Sequence, residues 1–438
     1  MRSHSVRPRL PIPVETVGPE GAKPTLLVLT STYPRWAGDP EPGFVHELAR
    51  RLTDRFQVIV LGPHALGAKT HERLDGVEVI RYRYAPQRLE TLVNDGGIVT
   101  NLRLARWKLL LVPGFVLTQA WRAWRLIRTR NIDVIHAHWL LPQGLIAALL
   151  QALPGRQVPF VVTSHGADLF ALKGRMLEWL KRLVIGRSCA VTVVSEAMRQ
   201  RVREIAPNAI RVRVQPMGVD LQYRFVPDPA TVRARDELLF VGRLVEKKGL
   251  RHLLDAMPAV VARRPGTRLR IAGFGPEEVA LRHQAERLAL AGHVEFLGAV
   301  PQAELPALYR RAAVFVAPFV EAGSGDQEGL GLVLVEAAGC GCPVLAGDVP
   351  AVRDVLGDAS SGMVDPRQPA QLADAIVDLL AYPQRAHAQA AELRERLSGR
   401  FDWQNVADGY AEVLAACTGS PEADDDAARG KGSVIDDN

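Results

Sequence analysis

A chain of 438 residues with a mean hydropathy of +0.01 is too long for one ordinary core and suits two globular domains of roughly 200 residues each. Its charge is uneven: residues 1–220 carry 31 Lys and Arg against 17 Asp and Glu, and the remainder 23 against 31, so +14 faces −8. The basic excess fits nucleic acid, anionic lipid or a phosphate-bearing substrate. The four cysteines, Cys189, Cys340, Cys342 and Cys417, lack a second pair or a nearby His at zinc spacing and read as reduced thiols in a cytoplasmic protein.

Residues 1–23 hold Arg and Pro but no apolar run, so they read as a loose arm and not as a signal peptide or anchor. Short apolar runs then alternate with helix-period segments, the signature of βα units in a parallel sheet. Strands are predicted at 25–29, 57–61, 77–81, 132–136, 159–163 and 190–194, with helices between them, giving a first Rossmann-like domain over 24–216. The stretch 217–236, rich in Pro and Asp, reads as a linker. A second set of strands at 237–241, 268–272, 293–297, 313–316 and 343–346 makes a second Rossmann-like domain over 237–402. A helix over 403–417 is expected to pack back across the hinge, and 418–438, which holds Asp424, Asp425 and Asp426, reads as a disordered solvating tail. The fold class expected is α/β, with two such domains facing across a cleft and ligands at the strand-to-helix loops.

The strongest motif runs from Glu328 to Glu336 and continues into Pro343. Gly329 and Gly331 permit a tight loop whose N–H groups can approach a ligand, and 332–339 reads as a helix whose N-terminus attracts phosphate. Glu336 falls inside an apolar run, where an unpaired carboxylate costs several kcal/mol, about the scale of a lost buried hydrogen bond or more. Ribose hydroxyls would suit it, and Glu328, ahead of the helix, can reach a sugar. A second motif, Val241 to Gly249, follows the first strand of the second domain and carries Arg243, Lys247 and Lys248, with Lys247 read as a solvated neighbour. The Gly273-Phe274-Gly275-Pro276 turn lacks the third glycine of a dinucleotide fingerprint, since Glu278 stands there, which disfavours an oxidoreductase. In the first domain His165 follows a strand, Asp168 reads as a helix N-cap and Ser195 as the cap of a helix over 196–205.

The block from Glu328 to Glu336 resembles the E-x7-E motif of family-four retaining glycosyltransferases of the GT-B fold, and the resemblance extends over roughly residues 25–417. It implies that Glu328 and His165 work at the transfer site, with Glu328 on donor-sugar hydroxyls and Glu336 on the nucleotide ribose. Gly329, Leu330, Gly331 and Leu332 would offer backbone donors, and Arg243 and Lys248 would hold the diphosphate. Val300 and Gln302 would border the nucleobase. Relatives carry a Gly-Gly pair in the first loop, for which Gly43, before a helix over 44–54, is the only substitute. Pro216 to Asp220 resembles the family's N-G-V-D hinge turn, with Met217 in place of Asn. The Gly325-Asp326-Gln327 segment is similar to a subgroup acting on bacterial exopolysaccharide and cell-envelope glycans.

The resemblance further implies retention of configuration by front-face attack, with no cofactor and no metal; the nucleoside-diphosphate sugar is a co-substrate, and no D-x-D motif closes a strand. The alternatives are a nucleotide-sugar-binding protein without turnover, or a sugar phosphorylase or epimerase on the same fold. The expected acceptor is a glycan or a lipid-linked molecule; nucleic acid is not an expected partner. Residues 101–130 combine seven cations with Trp107, Phe115, Trp121 and Trp124, and Pro113 is expected to split them into two helices. Residues 171–187 add Trp179 and five cations. Both segments suit peripheral contact with an anionic membrane surface, on its inner face, and equally suit core helices with basic outer faces.

Overall fold

The computed structural model describes residues 23–39, 43–94, 97–209, 211–357 and 362–419, apart from the side chains of 99, 100 and 103. The arm before Lys23 and the tail from residue 420 onward lie outside the described residues.

The first domain holds β1 (Thr25–Leu29), β2 (Gln57–Pro63), β3 (His71–Leu74), β4 (Val77–Tyr82), β5 (Val134–His138), β6 (Phe160–Ser164), β7 (Ala190–Val193) and β8 (Val212–Val214). They form one sheet in the order β3-β4-β2-β1-β5-β6-β7-β8. All neighbours run parallel except β3, which pairs antiparallel with β4. The near-continuous burial of TLLVL and FVVTS is what a parallel sheet covered on both faces requires. Helices α1 (Phe44–Leu52), α2 (Gly97–Leu104), α3 (Leu111–Thr129), α4 (Leu145–Gln151), α5 (Ala167–Phe170), α6 (Arg175–Arg187) and α7 (Glu196–Ile205) fill the connections.

The second domain holds β9 (Glu237–Val241), β10 (Arg268–Ala272), β11 (Val294–Gly298), β12 (Val314–Ala317), β13 (Val344–Gly347) and β14 (Met363–Val364), in the order β11-β10-β9-β12-β13-β14. That is the doubly wound order, whose direction reverses between β9 and β12. Its helices are α8 (Leu250–Arg263), α9 (Glu278–Arg287), α10 (Leu305–Arg311), α11 (Leu332–Gly339), α12 (Pro350–Leu356), α13 (Pro369–Ala381) and α14 (Pro383–Phe401). One core runs from the first sheet into the near face of the second, and another lies beneath the far face against α8, α9 and α13.

The last helix, α15 (Trp403–Thr418), returns to the first domain. Asp402 caps it by accepting from the Gln404 N–H at 3.0 Å, and the Tyr410 hydroxyl donates to the Gln215 carbonyl at 2.8 Å. Gly218 is required where Trp403 crosses, since a Cβ there would lie 2.5 Å from the indole.

Two expectations are corrected. Cys189 and Cys417 form a disulfide that ties the end of α15 to the start of β7, with a Cα–Cα distance of 6.1 Å. Only Cys340 and Cys342 are free thiols, both buried, so the cysteine count gives no compartment. Pro113 does not divide its segment: it sits in the first turn of α3, where a missing N–H costs nothing, and the helix breaks at extended Ala105 instead. Of the five cations of 171–187, Lys181 alone is drawn inward, and Lys173, Arg175, Arg182 and Arg187 are exposed. Lys181 is buried and donates to the Leu169 and Leu172 carbonyls at 2.9 and 2.6 Å. Arg182 and Arg187 donate to the carbonyls of Ile205 and Ala148.

Candidate active site

Both sheets reverse direction where their loops meet, so the cleft is lined by the ends of β1, β5 and β6 on one side and β9 and β12 on the other. From the second domain come Arg243 after β9, Lys247 and Lys248 in a single helical turn, and the loop before α11. Gly249 lets this turn lie against the chain after β12; its φ is +69° and a Cβ would meet the Pro318 carbonyl at 1.7 Å.

Lys248 Nζ lies 2.8 Å from Glu328 Oε2, with side chains 13% and 15% exposed, and 4.5 Å from the centre of the Phe319 ring. Burial alone would raise the Glu328 carboxyl. Lys248, Lys247 and the Gly331 N–H outweigh it and hold the group down at about 2, so Glu328 is ionised at any working pH. Lys247 is no bystander: its Nζ lies 3.3 Å from Asp326 Oδ1 and donates to the Gln327 carbonyl at 3.2 Å, fixing the loop that carries Glu328.

Glu336, on the second turn of α11, is buried. Burial pushes its carboxyl up to about 7, against the Tyr309 hydroxyl, Lys248, Arg224 and Gln302. Tyr309 donates to Oε2 at 3.0 Å. The buried acid thus has a protein partner as well as any ligand. Glu336, Gln302, Leu332 and Gly43 share a small cavity of about 50 Å³ between the domains, with Gly43 as the N-cap residue of α1. Val300 lies in the connection after β11 and packs half-buried against the first core.

Gly331 is the N-cap of α11 at φ +84°, a left-handed turn that aims the helix N-terminus into the cleft. Gly329 makes the interdomain approach possible, because a Cβ there would sit 2.7 Å from the His165 carbonyl. His165 therefore lies beside the Glu328 loop. Its ring contacts Phe44 and Trp139 with centroids at 4.9 and 5.0 Å. Burial, aided by His136, lowers its pKa to about 3, so the imidazole is neutral. Asp168 is not a cap; Gly166 holds that place, and buried Asp168 instead accepts from the Leu140 N–H at 2.7 Å and Ser164 Oγ at 2.8 Å. Ser195 does cap α7.

One residue missed in the sequence is His138, at the end of β5, which shares a 2.9 Å hydrogen bond between its Nδ1 and His165 Nε2, one ring donating and the other accepting. Burial holds His138 neutral too. Beneath it, His136 bonds to Thr163, and Thr163 to Thr192, at 2.7 and 2.5 Å. The H-A-H alternation places both His136 and His138 off one strand, which was the available signal. Next to this layer lies a larger cavity of about 360 Å³, reaching from Ser31 and Thr32 to Arg243 and Lys247.

Two doubly wound domains with a cationic loop, an ionised Glu and a helix N-terminus facing a neutral His define a GT-B transferase. The model for Glycosyltransferase Family 4 matches residues 44–223 and that for Glycosyl transferases group 1 matches 228–397. The chain is 31% identical over 360 residues to a GDP-mannose-dependent alpha-(1-6)-phosphatidylinositol monomannoside mannosyltransferase of Mycobacterium tuberculosis, covering 79% of this chain and 90% of that one. It is also 31% identical to a glycogen synthase of the same species over 85% of this chain and 90% of the relative. Among solved structures, sucrose-phosphate synthase of Thermosynechococcus elongatus aligns with a TM-score of 0.71 at 21% identity, over 90% of this chain and all (100%) of that one. Anabaena HepE in complex with UDP-glucose aligns at 0.67 and 18% over 90% and 99%. The chain belongs to the family-four glycosyltransferases of the GT-B fold, and it is an enzyme of that class.

Proposed function

We propose that this glycosyltransferase moves a sugar from a nucleoside-diphosphate donor to a glycan or lipid-linked acceptor with retention of configuration. The observation that carries the reading is the Lys248–Glu328 ion pair at 2.8 Å, set at the N-terminus of α11. The ammonium neutralises diphosphate charge while the carboxylate accepts from sugar hydroxyls, so one pair grips both sides of the bond that breaks. Arg243 adds a planar clamp for phosphate oxygens. Glu336 takes ribose hydroxyls, and Gln302 and Val300 border the base.

In the transfer, the anomeric C–O bond to the diphosphate breaks and its electron pair stays on the leaving phosphate oxygen. The acceptor oxygen bonds to the same face of the anomeric carbon, and its proton passes to that phosphate oxygen. The protein then supplies no nucleophile. Its cations and the helix amides stabilise the charge that grows on the diphosphate, which is also why no divalent ion is invoked. Neutral His165 positions the sugar by hydrogen bonding. Catalysis at an anionic membrane surface agrees with the outer face of α3 and the turn before it, where Trp121, Trp124 and Trp107 are exposed beside Arg122, Arg125 and Arg128. Among the described residues no helix is long and apolar enough to cross a membrane.

A panel of nucleotide sugars tested for thermal stabilisation, followed by mass spectrometry of products, examines the reading. One donor should stabilise the protein and yield product only when acceptor is present. Donor consumption giving free sugar phosphate or an epimer would replace it with a phosphorylase or an epimerase.

A further inference from the structure

The 360 Å³ cavity has two unlike walls. The second domain contributes mainly polar groups, Arg243, Glu246, Lys247, Ser324 and Asp326, whereas α2, α3 and α6 contribute Ile98, Leu102, Val112, Val116 and Leu177. A glycan has hydroxyls on every side, and those turned to the second wall would lose water without gaining a partner. A wholly apolar molecule would take the charges of the first wall out of water and return no polar contact for it. The void matches a molecule that is polar at one end and hydrocarbon at the other.

The helices that build the apolar wall also show where such a molecule comes from. On α3, Val112 and Val116 face the cavity, and Leu117 and Trp121 form a separate exposed stripe on the same helix. Leu109 and Leu110, in the turn between α2 and α3 that also carries Trp107, are exposed as well, and Arg122 stacks on Trp121 at 5.1 Å. One short pair of helices thus presents apolar residues to the cavity on one face and an aromatic, cationic surface on another, as a path from an anionic bilayer into the site would need.

We propose that the acceptor is an amphiphile whose hydrocarbon chain lies against Ile98, Leu102, Val112 and Val116, with its hydroxyl-bearing head at the Lys247 turn and Ser324, next to the Arg243 that clamps the donor. The proposal rests on the donor reading above. It makes the α2–α3 wall the element that measures the acceptor's tail, separate from the loops that hold the donor.

The test is binding of n-alkyl β-D-glucosides, from methyl to decyl and below their micelle concentrations, to the full chain, followed by calorimetry with UDP, GDP and ADP titrated in parallel. Affinity in the wild type should rise roughly fourfold per buried methylene, the fold-change equivalent to ~0.8 kcal/mol per CH₂, and level off once the wall is covered. Val116→Trp should move that plateau to shorter chains, and Val112→Asn should flatten the rise, both with nucleotide affinity unchanged. A flat chain-length series in a wild type that binds nucleotide overturns the amphiphile proposal alone. So do variants that reproduce the wild-type series. Failure of every nucleotide to bind overturns the donor reading instead.

Discussion

Replacing Lys248 by Met keeps the length of the side chain and removes the charge that holds Glu328 ionised. A carboxyl drawn from an ordinary 4.5 to about 2 gains about 3 kcal/mol in its charged form, which agrees with the roughly 3–5 kcal/mol lost when one partner of a buried pair is removed. The sign follows from linkage. The folded-state pKa of Glu328 is depressed, so its contribution is complete above the unfolded value near 4.5 and is lost as pH falls towards 2. Urea unfolding at pH 7 should therefore show Lys248→Met less stable than wild type by about 3 kcal/mol. The gap should shrink as pH is lowered through 4.5 towards 3. Adding Glu328→Gln should recover much of the loss, because no buried charge is then left unpaired. Equal stability of Lys248→Met and wild type at pH 7, or a gap independent of pH, would refute the reasoning.

Glu336 carries the opposite sign. Its folded pKa is raised to about 7, so ionising it costs stability as pH rises from 4.5 through 7, and Glu336→Gln should be more stable than wild type by about 3 kcal/mol at pH 8 in the same assay, while binding nucleotide more weakly. His138→Phe should lower kcat by about 10²-fold, the scale expected for a misplaced contact group, and leave donor KM nearly unchanged, because His165 loses its orienting partner but stays in place. Gly329→Ala should separate the two loops that meet at the His165 carbonyl and cut turnover sharply, with the unfolding midpoint of each domain retained. Cys417→Ser should cost about 2–4 kcal/mol in unfolding free energy without altering nucleotide affinity.

The long buried strands and the E-x7-E block were legible because each has a strong local cause: apolar runs bounded by turn residues, and glycines that a close approach demands. The short edge strands β3, β8 and β14 were not, since HERL, VRV and MV owe their conformation to a neighbouring strand and not to their own pattern. Pro113 misled because the same residue ends one helix or begins another, and only the fold decides which. Lys247 and Asp168 are instructive in the same way. Their types fitted a solvated side chain and a cap, but partners distant in sequence or across a turn, Asp326 and Leu140, give each a different task. Cys189 and Cys417 lie 228 residues apart, and only the return of α15 brings them together. Of the site, the residues on one loop or helix could be read in advance. The His138–His165 contact and the two-walled cavity exist only once separate strands and domains are assembled.

The central claim is that Glu328 and Lys248 hold a nucleotide sugar for transfer on its own face. Its most direct test is the anomeric configuration of the product, read by NMR from wild type and from Glu328→Ala with the stabilising donor. The account predicts a product with the donor's configuration from wild type and almost none from a folded Glu328→Ala. A product of inverted configuration, or undiminished transfer by the variant, would contradict it.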